Sequence, residues 1–256
     1  MSGKVISFGL QKGGVAKTTT TYNISAILAK MGYKVLMVDN DPQTSLTYIA
    51  GFRNFDELQY SNLSQVYSGE KEAKDIMLKV ECVDNLYLLP SHIALSLTEM
   101  KLNPMMSREL VLAKILAPLK QEFDFICIDC PPSLGLLNMN NVAASDGIIY
   151  CCEPATLAVQ GLALYHSTVA EIKRGLNLDT TFLGLIITKV GKGNDCKDIV
   201  NLLKKNFPVL GEIKQTVEVS KREMEGIPLS IAKPSHINSI AHRDIAEKIV
   251  EWAKNN

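Results

Sequence analysis

The feature that most constrains this chain is a set of short, almost uninterrupted apolar runs: Val5–Leu10, Val35–Val38, Leu86–Leu89, Phe123–Ile128, Ile148–Cys152 and Leu183–Thr188. A strand with one wet face alternates apolar with polar residues, whereas a strand apolar at nearly every position has no wet face. The runs are separated by longer segments, Thr18–Met31, Arg108–Lys120, Thr156–Arg174 and Asp195–Asn206, whose apolar residues recur at the three- and four-residue spacing of an amphipathic helix. Strands buried on both faces by helices belong to a parallel sheet, so the expected fold class is α/β: a doubly wound, mostly parallel central sheet flanked by helices. Ile240–Lys254 reads as a closing surface helix, and residues 42–84, the least regular part, as helical insertions at the edge. With no linker, repeat or low-complexity stretch, residues 1–256 are expected to form a single domain.

Composition narrows the function classes. A 46% hydrophobic fraction with 21% charged residues excludes a disordered or fibrous chain. The 27 Lys+Arg balance 27 Asp+Glu, which argues against a protein that coats nucleic acid with its whole surface but leaves room for a local basic patch. No stretch approaches the roughly 20 apolar residues of a membrane span. The run Val5–Leu10 is shorter than the ~7–15 residues of a signal-peptide core and leads into Gln-Lys-Gly-Gly rather than a cleavage site, so a cytoplasmic protein is expected. The cysteines Cys82, Cys127, Cys130, Cys151, Cys152 and Cys196 lie mostly in strand-like runs, as reduced, buried thiols do.

The first apolar run ends in Gln11-Lys12-Gly13-Gly14-Val15-Ala16-Lys17-Thr18-Thr19 and then a helix. Glycines at such a junction let backbone N–H groups turn around an anion, and the helix N-terminus adds free donors. Lys17 would neutralise the β- and γ-phosphates of a nucleotide, and the Thr18 hydroxyl would join a Mg²⁺ shell. The common pattern G-x-x-x-x-G-K-[ST] is not met, because its glycines fall on Gln11 and Ala16. The segment instead resembles the deviant Walker A motif, K-G-G-x-G-K-T-T, of the ParA/MinD group of P-loop ATPases. Lys12, Gly13, Gly14, Lys17, Thr18 and Thr19 agree with that motif, while Ala16 departs from it. Alanine needs a negative φ, which the start of a helix supplies, so the loop is expected to keep its form.

Two further segments carry the resemblance. The second strand ends in Val38-Asp39-Asn40-Asp41-Pro42-Gln43 and the fourth in Ile128-Asp129-Cys130-Pro131-Pro132-Ser133. Carboxylates at the C-terminal ends of parallel strands face the crevice where open α/β sheets bind ligands. The resemblance implies that Asp129 is the Walker B acid, that Asp39 supports the magnesium site with Thr18, and that Asp41 orients or activates the attacking water. It implies ATP and Mg²⁺ as cofactors, held along Lys12, Gly13, Gly14, Val15, Ala16, Lys17, Thr18 and Thr19. It also implies that Lys12 reaches the nucleotide of a partner subunit, so that ATP holds a homodimer together.

Within the family the chain is most similar to short ParA/Soj-type partition ATPases. Its first strand begins near residue 4, so no N-terminal helix-turn-helix domain is expected. The implied function is plasmid or chromosome partition by an ATP dimer that binds DNA nonspecifically and is released by a ParB-like or centromere-binding partner. Such a protein would be nucleoid-associated when ATP-bound. The charge distribution agrees. Ile187–Arg222 carries eight Lys/Arg against four acids, and Asp39–Pro90 nine acids against four bases. Short relatives carry a Pro-Arg-Asn run where this chain has Lys214-Gln215-Thr216, so Lys192, Lys214, Lys221 and Arg222 are the candidate DNA contacts.

The alternative within the family is a MinD-like, membrane-cycling regulator of division-site placement, which needs a basic amphipathic C-terminal helix. Arg243–Lys254 is balanced in charge, and its apolar stripe suits packing on the sheet. An iron–sulfur relative would need a cysteine in Ser133–Asn141, which has none. Cys127 and Cys130 should point to opposite faces of a strand and cannot jointly hold a metal.

Overall fold

The computed structural model describes residues 2–256. Eight strands form one sheet: β1 (Lys4–Gly9), β2 (Val35–Asp39), β3 (Leu78–Lys79), β4 (Leu86–Leu89), β5 (Phe125–Asp129), β6 (Gly147–Cys152), β7 (Thr181–Val190) and β8 (Val209–Lys214). The helices are α1 (Lys17–Lys30), α2 (Ser45–Ile49), α3 (Phe55–Leu58), α4 (Leu63–Tyr67), α5 (Leu95–Leu102), α6 (Val111–Leu116), α7 (Leu136–Ala144), α8 (Ala158–Leu176), α9 (Asn194–Asn206), α10 (Glu218–Glu223), α11 (Leu229–Ala232) and α12 (Ile237–Asn255). The strand order is β3-β4-β2-β5-β1-β6-β7-β8, with β3 antiparallel and all other pairs parallel. From β1 the chain moves first towards β2 and later, from β6, towards the opposite edge. That reversal opens a crevice beyond the C-terminal end of β1.

Every position of β2 and β5 is buried, as the continuous apolar runs require. Successive residues serve opposite layers. Ile6, Phe8 and Met37 pack with Tyr22 of α1, Leu162 of α8 and Ile245 of α12. Val5, Leu36, Val38 and Ile128 pack with Leu63 of α4, Leu112 of α6 and Leu137 of α7. Each such side chain removed from water contributes about 1.5–3 kcal/mol before conformational entropy is charged against it. Cys127 lies in the first layer and Cys130 in the second, so the pair does not share a face.

Several elements differ from the sequence expectation. Arg108–Lys120 is a 3₁₀ turn at Arg108–Leu110, then α6, then a second 3₁₀ turn at Leu119–Gln121. Pro118 interrupts it, having no N–H with which to continue the helical ladder. Edge strand β8 is only half-buried at most positions, so it lacks the continuous apolar signature of the inner strands. Helix α7, rich in asparagine, was not among the expected helices; Asn138, Asn140 and Asn141 are buried, their side-chain oxygens accepting from the Tyr165 hydroxyl, the Leu112 N–H and Asn40. The insertions at 42–84 are the short helices α2, α3 and α4 and a 3₁₀ turn at Ala73–Ile76, but they are not wholly helical as expected, because they also contribute the antiparallel edge strand β3. Helix α12 buries Ile245, Ala246 and Ile249 in the core, so its apolar stripe is used for packing. Among the described residues no helix is long and apolar enough to cross a membrane.

Candidate nucleotide site

The loop between β1 and α1 wraps the C-terminal end of the central strand. Gly9 closes β1 beneath the Tyr165 hydroxyl, which would lie 2.5 Å from a Cβ there, so no larger residue fits. Gly14 turns the chain with φ +72°. Ala16 also has a positive φ, 60°, against the expectation of a negative one. It is the residue just before α1, where the chain must still curl before entering the helix, and the left-handed conformation costs an L-residue about 1–2 kcal/mol. Two bonds hold this curl: the Thr188 hydroxyl of β7 donates to the Val15 carbonyl at 2.8 Å, and the Thr20 N–H donates to the Ala16 carbonyl at 3.0 Å. Lys17 is buried, its Nζ donating to the Lys12 carbonyl at 3.0 Å, so the ammonium is drawn back across the loop. Lys12 points the other way, half-exposed, with Nζ 4.0 Å from Glu153 at the end of β6.

The three carboxylates converge as expected. Asp39 and Asp129 are register partners at the ends of β2 and β5. Asp129 is fully buried, and among the described residues neither of its oxygens has a hydrogen-bond partner. Burial pushes its carboxyl well above the usual range, the charge of Asp39 adds to this, and the Thr18 hydroxyl and Lys17 pull it back. Asp39 is also fully buried, but its oxygens are engaged. Oδ2 accepts from the Thr47 N–H (2.8 Å) and hydroxyl (2.6 Å), and Oδ1 from the Asp41 N–H (3.3 Å). Its pKa is pushed up to about 7 by desolvation, against the opposing pull of those bonds. Asp39, expected beside a magnesium ion, therefore acts in this structure as the peg on which the 40–47 loop hangs. Asp41 lines the crevice with its Oδ1 fixed by the Gln43 N–H at 2.9 Å, and burial raises its carboxyl too. Three acids facing one buried lysine leave an excess of negative charge that a cation would relieve.

Over the loop opens a cavity of about 760 Å³, lined by residues 13–20, Asp41, Pro132 and a far wall from β8 and α10. That wall includes Gln215 and Thr216 just after β8 and Ser220 and Glu223 of α10, with Lys189 of β7 beside them; none of these was among the expected nucleotide-site residues. No local motif marks Ser220 or Glu223; they arrive there because α10 folds back on α1. Three contacts secure this. The Thr19 hydroxyl donates to Glu223 at 2.5 Å, the Tyr22 hydroxyl to the Gly226 carbonyl at 2.7 Å, and Arg53 to the Glu223 and Met224 carbonyls. The volume suits a mononucleotide with its phosphates on the loop.

The four basic candidates are divided by the fold. Lys192 and Lys214 share a groove of about 1000 Å³ with Lys197, and Lys214 also reaches the nucleotide cavity. Lys221 and Arg222 stand apart on α10. Lys214 pairs with Glu212 (3.2 Å), Lys221 with Glu218 (3.9 Å) and Arg222 with Glu225 (2.6 Å), whereas Lys192 has no carboxylate partner among the described residues.

Comparison with known proteins agrees with this geometry. A family model described as an AAA domain matches residues 3–182. The chain is 34% identical to the sporulation initiation inhibitor protein Soj of Bacillus subtilis, covering 96% of this chain and 98% of that one. It is 32% identical to the chromosome-partitioning ATPase Soj of Treponema pallidum, over 97% of each. Among solved structures it is similar to cobyrinic acid a,c-diamide synthase from Mycobacterium smegmatis with bound ATP analogue and magnesium, with TM-score 0.83, 29% identity, and 99% and 97% of the two chains covered. With the deviant phosphate loop, the strand-end acids and these full-length similarities together, the chain belongs to the ParA/Soj-type P-loop ATPases.

Proposed function

We propose that this protein is a Mg²⁺-dependent partition ATPase: it dimerises on ATP, binds DNA without sequence preference as that dimer, and is released when a ParB-like or centromere-binding partner stimulates hydrolysis. The observation that carries the reading is the cavity built on the 13–19 loop, with a buried Lys17 at its base and Asp41 on its wall. Lys17 would neutralise the β- and γ-phosphates, and backbone N–H groups from Gly13 to Thr19 would hold them. Asp41, its carboxylate oriented by Gln43, would position the attacking water and take its proton. The Asp129 carboxylate, buried with both oxygens unpartnered among the described residues, fits a divalent cation, with Thr18 completing the donors and Asp39 supporting them through charge. When bound, magnesium supplies positive charge to the phosphate oxygens.

Lys12 supports dimerisation on ATP: it is directed away from its own loop, and its loose 4.0 Å contact with Glu153 is easily exchanged for a phosphate across a two-fold axis. The groove holding Lys192, Lys197 and Lys214 supports a DNA surface. A dimer neutralising about six phosphates would show a log–log salt slope near −5. The MinD-like alternative is disfavoured because the apolar face of α12 is already committed to the core. The protein would be cytoplasmic and nucleoid-associated in its ATP state. The test is retention on DNA with ATP, with ADP and without nucleotide, run beside anionic vesicles. ATP-dependent DNA retention is expected; ATP-dependent retention on vesicles but not on DNA would overturn the reading.

A further inference from the structure

The residue between the two acids of the second-strand motif, Asn40, has no part in the reading above, yet its side chain is fully buried and makes three tertiary hydrogen bonds. Its Nδ2 donates to Asn141 Oδ1 at 2.6 Å and to the Leu137 carbonyl at 3.4 Å, both on α7, while its Oδ1 accepts from the Tyr67 hydroxyl of α4 at 3.2 Å. The Leu137 carbonyl can only accept, so the amide orientation is set. The Asn40 N–H also donates to the Asp129 carbonyl at 3.2 Å.

Helix α7 has its own link to the nucleotide cavity. It follows directly on Asp129-Cys130-Pro131-Pro132-Ser133, and Pro132 lines the cavity, its Cβ 3.9 Å from where a Cβ on Gly13 would stand. The first turn of α7 has no acidic residue or side-chain cap of its own; Glu99 of α5 supplies one, accepting from the Leu137 N–H at 3.1 Å. Asn141 is tied on its far side as well, its carbonyl accepting from Ser7 of β1 at 3.1 Å. A nine-residue helix held at these points moves as a rod, and its middle is one side-chain bond from the residue that precedes Asp41.

We infer that the Asn40–Asn141 pair is a positioning device for hydrolysis: it transmits the place of α7, and hence of the 130–135 segment, to the carboxylate of Asp41. The inference rests on the proposed role of Asp41. Asn40 and Asn141 touch neither the cavity nor each other's backbone, so their effect is on geometry at Asp41 and not on nucleotide contacts. A misplacement of about 1 Å in a reacting group costs up to about a hundredfold in rate, and the loss of one anchoring bond should give about tenfold.

The experiment measures kcat for ATP, affinity for a fluorescent ATP analogue, and thermal midpoint in Asn40→Ala, Asn141→Ala, the double variant, Tyr67→Phe and Asp41→Ala. Asn40→Ala and Asn141→Ala should each lower kcat about tenfold with analogue affinity changed less than twofold. The double variant should be no slower than the worse single, because both break one link. Tyr67→Phe removes the other bond to Asn40 but leaves the α7 link, so kcat should stay within twofold even where the midpoint falls. Wild-type kcat in Asn141→Ala, multiplicative losses in the double variant, or equal losses in Tyr67→Phe and Asn141→Ala would each overturn the inference. If Asn40→Ala does not fold, Asn141→Ala against Tyr67→Phe still decides it. Wild-type hydrolysis by Asp41→Ala would instead overturn the role of Asp41, which separates the two failures.

Discussion

Replacing Ala16 by glycine should make the protein more stable, although glycine is the less stable choice within a helix. Ala16 sits at φ 60°, ψ 31° immediately before α1. An L-residue there carries about 1–2 kcal/mol of steric strain that glycine does not feel. Against this, glycine has more freedom to lose on folding, about 0.4–1 kcal/mol. The difference is about 0.8 kcal/mol in favour of glycine, or a rise of about 2 °C in thermal midpoint for a chain of this size. The curl at Ala16 is held by Thr188 and Thr20 and is the same in shape with either residue, so ATP affinity should change less than twofold. Valine at the same place should go the other way by about 1–2 kcal/mol, because a β-branched side chain tolerates positive φ least. Urea unfolding with a matched thermal scan reads both variants. A glycine variant less stable than wild type by more than about 0.5 kcal/mol, or a valine variant equal to wild type, would refute the assignment of strain to this residue.

Three further outcomes are expected. His242 of α12 is fully buried, and desolvation lowers its pKa to about 4 from an ordinary 6.5; the unfolded chain then binds the extra proton between those values, so stability is intact above pH 6.5 and falls by about 3 kcal/mol as pH drops to 4. Between pH 4 and 6.5 the slope of unfolding free energy against pH should be more negative in His242→Leu than in wild type, by up to about 1.4 kcal/mol per pH unit. That difference isolates His242 from Asp39, whose raised pKa favours the folded state as pH falls, and an identical slope in both proteins would reject the assignment. Gly9→Ala places a methyl 2.5 Å from the Tyr165 hydroxyl and should cost about 2 kcal/mol, with most of it recovered in Gly9→Ala/Tyr165→Phe by thermal unfolding. In nucleotide-binding, sedimentation and phosphate-release assays, Lys17→Ala should abolish ATP binding, Lys12→Ala should bind ATP without dimerising, and Asp41→Ala should dimerise without turning over; a Lys12→Ala dimer with ATP would remove that residue from the proposed interface.

What the sequence by itself determined is local in origin. A phosphate loop is one contiguous segment between a strand and a helix, so Gly13, Gly14, Lys17 and Thr18 are readable from their spacing, and the strand-end acids follow because β2 and β5 announce themselves as apolar runs. The doubly wound sheet is readable for the same reason, since burial on both faces leaves a mark in every residue of an inner strand. Edge strand β8 escaped because half-burial leaves no such mark, and α7 because its buried asparagines bond to Asn40 after β2, Leu112 of α6 and Tyr165 of α8, which no pattern within the helix records. Tertiary structure alone decided the rest. It brought α10 over the phosphate loop to make the far wall of the cavity, and divided the basic stripe into a groove at Lys192 and Lys214 and a separate pair on α10, three of the four candidates being neutralised by neighbours the charge count could not locate. It also bent Ala16 into a conformation its own chemistry disfavours, because the curl is imposed by the strand before it, the helix after it and Thr188 across the sheet, and a side chain records its intrinsic preference but not the constraints its surroundings place on it.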